Sequence, residues 1–281
     1  MKRALLKILY NFVVIVLVCL FLFPFYVMLS KSLMYIKESV SIPVPIFPSK
    51  ITFENYVSAM RIDFFFRSLG NTLFLVAVNI VMVPLSAYVV AYGFAKIKFK
   101  GSGFFFSLGM STVMIPSICC TVPLYVLYSK FGWLNTLKPM YIPQMFGGGM
   151  MNIFLIHQYL KGIPNTYKEA AKIDGANEFR IAFLIFAPLT MPVITLVSVN
   201  TFIGVWNDFS GPLTYISSYA SEKWTLAISV FDRYRGAVTL IDREPPVQMA
   251  ICTLIMIPPM IVFAIFQKTL ISGVALSGIK G

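Results

Sequence analysis

Residues 11–30 read NFVVIVLVCLFLFPFYVMLS, twenty positions without a charged side chain. A helix of about 20 apolar residues crosses the hydrocarbon core of a bilayer. Lys2, Arg3 and Lys7 precede the run. A signal peptide has a shorter apolar core and small residues at its cleavage site. This run is longer and bulky throughout, so it reads as a retained membrane span.

Five more such runs follow, at about 68–94, 104–129, 140–160, 181–206 and 248–267. The expected fold is therefore an all-α integral membrane protein, with six transmembrane helices in a single domain over 1–281. Composition agrees. Hydrophobic residues make 58% of the chain and charged residues 12%, against about 25% charged in a soluble domain. Mean hydropathy is +0.81. A soluble surface cannot hide that much apolar side chain, and the same numbers exclude disorder.

The net charge of +12 has a topological reading. Cytoplasmic loops of membrane proteins accumulate Lys and Arg. Twelve basic residues against three acids fall on one side, in short segments that include Lys96, Lys98 and Lys100. The other side carries eleven basic and eight acidic residues. Both termini are thus expected in the cytoplasm. No readable nucleic-acid motif accompanies the charge. The four cysteines (Cys19, Cys119, Cys120, Cys252) lie in apolar runs without metal-ligand spacing.

Nine prolines lie within or beside the spans, among them Pro84, Pro116, Pro188 and Pro192. Each removes a backbone donor and kinks its helix. Asn79 and Asn200 are polar at mid-span, and the single His157 sits near a span end. Intramembrane charges mark ion and proton pathways, and their scarcity argues against an ion-coupled transporter. Asn79 and Asn200 suit either hydrogen bonds between helices or contact with a translocated solute.

The connector 161–182, between the fourth and fifth spans, carries the most information. Thr166 and Glu169 have capping-box spacing, which predicts a helix start near Thr166. Ala170 and Ala171 give that helix a flat face. Asp174-Gly175 predicts its end, because glycine takes the left-handed conformation after a helix. A second helix then runs into span five. Two short helices with a sharp turn make a rigid cytoplasmic knob.

Glu169-Ala170-Ala171, then Gly175, Ile185 and Pro188 at their fixed spacings, resemble the EAA loop of ABC importer permeases. One departure is Ala187, where that family usually has Leu. Asn71-Thr72-Leu73, Ala87-Tyr88 through Ala91-Tyr92, Phe99-Lys100-Gly101, Ile163-Pro164 and Trp206-Asn207 are similar to its carbohydrate-uptake branch. The glycine-rich tail 271–281, with Gly278, Lys280 and Gly281, resembles that of the six-span permease of maltose-type transporters.

The resemblance implies a type I importer permease in a bacterial or archaeal inner membrane. It implies a heterodimer with a second permease, two ATPase subunits that carry ATP and Mg, and an extracytoplasmic solute-binding protein. Thr166, Glu169, Ala170, Ala171, Asp174 and Gly175 would dock an ATPase, and the tail would reach between the ATPases. The substrate would be a carbohydrate, an oligosaccharide first; a polyol or a glycerol phosphate derivative is the alternative.

The residues themselves divide the labour in the same way. No G-x-x-x-x-G-K-[ST] is present, and no catalytic or metal-ligating constellation is evident. The chain is expected to be no enzyme. Asn79, Asn200, Trp206 and Asn207 are candidates for the translocation path; Trp206 would equally serve an interfacial aromatic belt. Tyr215 and Trp224, in the long external loop 207–247, are candidates for contact with the binding protein.

Overall fold

The computed structural model describes residues 2–278 apart from 240, 241 and 243, with side chains described between residues 6 and 268. Among the described residues there is no β-strand. The helices are α1 (Lys2–Ser32), α2 (Ile36–Ser39), α3 (Glu54–Met60), α4 (Phe65–Lys96), α5 (Ser102–Thr112), α6 (Ser117–Lys130), α7 (Lys138–Tyr141), α8 (Met150–Gly162), α9 (Thr166–Ile173), α10 (Glu178–Arg180), α11 (Ala187–Trp206), α12 (Ser210–Tyr215), α13 (Leu226–Arg235) and α14 (Pro245–Gly278).

Among the described residues, four stretches are long and apolar enough to cross a membrane: 6–32, 65–96, 178–206 and 245–268. Two of the expected spans are built differently from the uniform runs the sequence suggests. Residues 104–129 divide into α5 and α6, which meet at 95°. Pro116 explains the break, because proline has no N–H and drives the residue before it out of the helical region. If this bent pair counts as one crossing, the number rises to five.

Residues 140–160 are interrupted as well. Pro143 opens a short 3-10 turn, and Gly147, Gly148 and Gly149 follow with φ of +94°, +59° and +101°. Such backbone cannot continue a right-handed helix. The helical part, α8, has 13 residues, about 20 Å at 1.5 Å per residue.

The chain forms two compact units. One takes residues up to 66 together with 231–261. In it, Tyr26 and Ser30 of α1 donate to the Ile46 carbonyl at 3.0 and 2.6 Å. Asn55 Nδ2 donates to the carbonyls of Ser32 and Met34 at 2.8 and 2.9 Å. The connector after α1 is thereby tied to the end of that helix. Arg233 and Glu244 pair at 2.9 Å.

The second unit takes residues 67–230 and 262–278. Its main core joins Val83, Ala87, Tyr88, Ala91 and Tyr92 of α4 to Ile153, Ile156 and Leu160 of α8. Ala171, Ile181, Ala182 and Phe186, with Val193 and Val197 of α11, complete it. The buried positions recur at three and four residues, the spacing of one helix face. Ala87 and Ala91 are fully buried, and small residues let helices approach closely where lipid provides no hydrophobic drive. Asn71 Nδ2 donates to the carbonyls of Glu222 and Trp224, both at 2.9 Å, and Thr72 Oγ1 accepts the Leu226 N–H at 2.9 Å. The start of α4 is thus fastened to the segment before α13.

Candidate functional site

The segment between α8 and α11 forms the expected knob. α9 begins at Thr166, as its sequence predicts. The capping box does not form: Asn165 is the N-cap, and no side chain caps the helix. Asn165 Oδ1, the natural capping acceptor, instead accepts Lys96 Nζ at 3.0 Å. The other end matches the expectation. Gly175 has φ +77°. Its N–H donates to the Lys172 carbonyl at 3.1 Å, and the Ala176 N–H donates to the Ala171 carbonyl at 2.9 Å. This pair of bonds is the Schellman closure of a helix end.

Asn177 then caps α10 by accepting the Arg180 N–H at 2.8 Å. The chain continues through a π-helical stretch, Ile181–Phe186, into α11. The two alanines do not share one docking face. Ala171 is buried in the chain's own core, and Ala170 is exposed. Glu169 and Asp174 are exposed too, beside Tyr167, Ile173 and Phe179. The knob therefore presents an outward surface of aromatic and aliphatic groups among charges.

Glu178 holds the knob from within. It pairs with Lys168 at 3.0 Å and Lys172 at 3.1 Å, and accepts the Tyr92 hydroxyl at 3.2 Å. Tyr92, Lys96 and Glu178 are absent from the site expected from sequence. The bonds that Tyr92 and Lys96 make to the knob span 67 or more positions of the chain, and no local pattern reports such pairs.

A cavity of about 660 Å³ lies in the same unit, between α4, the 139–152 segment, α6 and the end of α11. That volume is in the usual range for a small-molecule site, roughly 300–1,000 Å³. Asn79, Tyr128, Gln144, Asn152, Asn200, Asp208 and Tyr215 give it amides, phenols and one carboxylate. No Lys, Arg or His is among the described residues that line it. Asn79 is 1% exposed; its Nδ2 donates to the Leu75 carbonyl at 2.8 Å and the Met140 carbonyl at 3.3 Å. Its Oδ1 has no partner.

Asp208 Oδ1 accepts the Gly211 N–H at 3.0 Å. Burial raises the Asp208 pKa, and the backbone N–H groups of Gly211 and Ser210 partly oppose the shift. Tyr128 and Tyr215 meet edge to face at 5.2 Å on the wall.

Of the four residues expected along a path, the structure brings Asn79 and Asn200 to this cavity and leaves Trp206 and Asn207 off its wall. Trp206 is 4% exposed and stacks on Phe202 at 5.7 Å, because its large ring fills the chain's own interior. Asn207 Nδ2 turns back to the Ile203 carbonyl at 2.9 Å. Tyr215, expected as an external contact, lines the cavity. Trp224, expected in the same role, is 8% exposed and donates to the Ile216 carbonyl at 3.2 Å in a second apolar cluster. Its burial leaves it little surface to offer a partner. His157 is buried beside Phe106, with ring centres 4.2 Å apart. Gly278 ends α14, and Lys280 and Gly281 lie outside the described residues.

Residues 87–275 match the family described as binding-protein-dependent transport system inner membrane component. The chain belongs to that family. This permease is similar to an arabinooligosaccharides transport system permease protein of Halalkalibacterium halodurans, with 29% identity over 83% of this chain and 81% of the relative. A probable ABC transporter permease protein of Pyrococcus horikoshii is 31% identical over 90% of each chain. A trehalose/maltose transport system permease protein of Thermococcus litoralis is 28% identical over 100% of this chain and 98% of the relative.

Among solved structures, a bacterial ABC transporter involved in the import of the acidic polysaccharide alginate superposes with a TM-score of 0.85. The alignment covers 95% of this chain and 97% of that one at 22% identity, which fixes the fold alone. The permease therefore has the type I ABC importer fold and is a multi-pass inner-membrane component, a transport subunit and not an enzyme.

Proposed function

We propose that this permease forms half of the transmembrane pathway of an ATP-driven importer for oligosaccharides that are neutral in charge. The polar cavity carries the reading. Sugars present hydroxyls and apolar C–H faces, and amides and aromatic rings suit both. Relatives named for arabinooligosaccharides and for trehalose and maltose support the same class. A glycerol phosphate is disfavoured: the described lining offers a carboxylate, Asp208, and no cation, so a phosphate would meet like charge.

In this reading the knob at 161–182 faces the cytoplasm and docks on one of two ATPase subunits, which bind ATP and Mg. The exposed Tyr167, Ile173 and Phe179 supply the apolar contact. A second permease completes the pathway, a solute-binding protein delivers substrate from outside, and both termini are cytoplasmic.

The test is uptake by proteoliposomes that hold the whole complex, supplied with its binding protein and a panel of neutral oligosaccharides, polyols and glycerol phosphates. ATP-dependent uptake of a neutral oligosaccharide is expected. Uptake confined to a phosphorylated solute would overturn the substrate assignment.

A further inference from the structure

Tyr88, Tyr92 and Lys96 recur at four-residue intervals in the last turns of α4, so they stand one above another on a single face. Each donates a hydrogen bond to the knob or to the turn that joins it to α11. Tyr88 Oη donates to the Ala182 carbonyl at 2.5 Å. Tyr92 Oη donates to Glu178 at 3.2 Å. Lys96 Nζ donates to the Ile163 carbonyl at 2.6 Å and to Asn165 Oδ1 at 3.0 Å. The knob answers in kind, with Lys168 Nζ donating to the Lys96 carbonyl at 2.6 Å.

These rungs are buried: Tyr88, Tyr92 and Lys96 are 2%, 4% and 8% exposed. A buried ammonium group is costly, and an apolar side chain of similar size commonly serves stability as well or better. The hydrogen-bond acceptors of Lys96 are neutral oxygens, the face of Phe186 lies 5.0 Å from its Nζ, and the nearby charged side chain of Lys168 carries the same sign. What the lysine achieves there is geometric. One of its acceptors is the carbonyl of the α8 C-cap, and the other is the side chain of the α9 N-cap. It fixes the joint at which the knob leaves α8.

The same helix reaches the cavity. Asn79 and Val83 of α4 are on its wall, and Asn79 is about 25 Å from Lys96 at 1.5 Å per residue. α4 remains one helix throughout, although Pro84 removes one of its backbone bonds. The alternative route, from the knob into α11, passes through the π-helical turn 181–186 and then Pro188 and Pro192. A π-helical turn inside an α-helix often marks a place that yields.

We propose that Tyr88, Tyr92 and Lys96 form a polar ladder that locks α4 to the knob, so that movement of the knob displaces the cavity wall through α4. The three are positioning residues for transport. The proposal rests on the reading of the knob as the element that ATPase subunits move.

The experiment uses the assembled complex with its ATPases. A Val83→Cys reporter, on the cavity wall but 2% exposed so that labelling reads its uncovering, is reacted with a water-soluble thiol reagent, with and without a non-hydrolysable ATP analogue, in a chain whose native cysteines are replaced. With the ladder intact, nucleotide changes the labelling rate roughly fivefold or more, the lower range of coupling between distant sites. Lys96→Met abolishes that response at unchanged yield of complex, Tyr92→Phe weakens it, and Lys96→Arg restores part of it. An unaltered nucleotide response in Lys96→Met overturns the ladder, and so does a loss that only tracks loss of complex. Since this readout needs no solute, failure of oligosaccharide uptake bears on the substrate reading alone.

Discussion

The Ala176 amide reaches back over Gly175 to the Ala171 carbonyl at 2.9 Å, and Ala171 is itself buried in the core shared by α4, α8 and α11. One backbone bond thus links the turn of the exposed knob to the interior. It exists only while residue 175 holds φ near +77°.

That relationship sets the cost of replacing Gly175. No heavy atom lies within 4 Å of a Cβ added there, so the penalty is purely one of backbone. An L-residue in the left-handed region costs roughly 1–2 kcal/mol, and more when β-branched. Gly175→Ala is expected to weaken ATPase stimulation by loaded binding protein modestly, and Gly175→Val severely, with membrane levels near normal. Hydrolysis by the assembled complex and co-purification of the ATPase are the measurements. Wild-type stimulation in Gly175→Val would remove the knob from the transmission path.

Gly148 has both constraints. Its φ is +59°, and an added Cβ would collide with the Val83 side chain on the cavity wall. Overpacking costs about 1–3 kcal/mol before backbone strain is counted. Gly148→Ala should lower the unfolding temperature of the purified complex more than Gly132→Ala, where φ is a similar +66° and no heavy atom lies within 4 Å of an added Cβ. Equal shifts would mean that Val83 relaxes freely.

Asp208 gives a prediction with a definite sign. Burial raises its pKa in the folded chain, so folding favours the protonated form. The resulting stability is greatest below the unfolded carboxylate range and is lost as pH rises through the folded pKa. At pH 7 Asp208→Asn removes the cost of the buried charge and keeps an oxygen for the Gly211 N–H. Thermal stability at pH 7 should hold or rise, and the difference from wild type should shrink as pH falls toward 4. A clear loss of stability at pH 7 would mean that the charge itself is needed.

Sidedness is open to direct labelling. Lys98 and Glu222 are both exposed. In a chain without native cysteines, a membrane-impermeant maleimide applied to intact cells should reach Glu222→Cys and fail to reach Lys98→Cys. The opposite pattern would invert the proposed orientation.

The chain carries a knob and no phosphate-binding motif. Purified alone, it should neither hydrolyse ATP nor drive uptake. Hydrolysis by the isolated chain at a rate typical of transporters would contradict its role as a pure pathway subunit.

Much of this protein is legible locally. A helix long enough to cross a bilayer needs only a run of apolar residues, so 11–30 declares itself. Gly175 ends α9 because its own backbone permits it, and residues 166–175 contain the whole signal. The segment 140–160 misleads for a related reason. Its hydropathy is that of a span, while Pro143 and the glycines at 147–149 set a backbone that averaging over a window hides.

The site divides along the same line. The sequence by itself determined the membrane class, the knob and the helix ends, because hydropathy, capping and left-handed glycine act over a few neighbouring residues. Only the tertiary structure decided that Asn79 and Asn200 share a cavity with Asp208 and Tyr215, that Trp224 is core, and that the side chain of Asn165, the N-cap of α9, bonds Lys96 and leaves the helix start without a side-chain cap. Those outcomes depend on which groups become neighbours across tens of residues, where burial selects partners by shape and by unsatisfied hydrogen bonds.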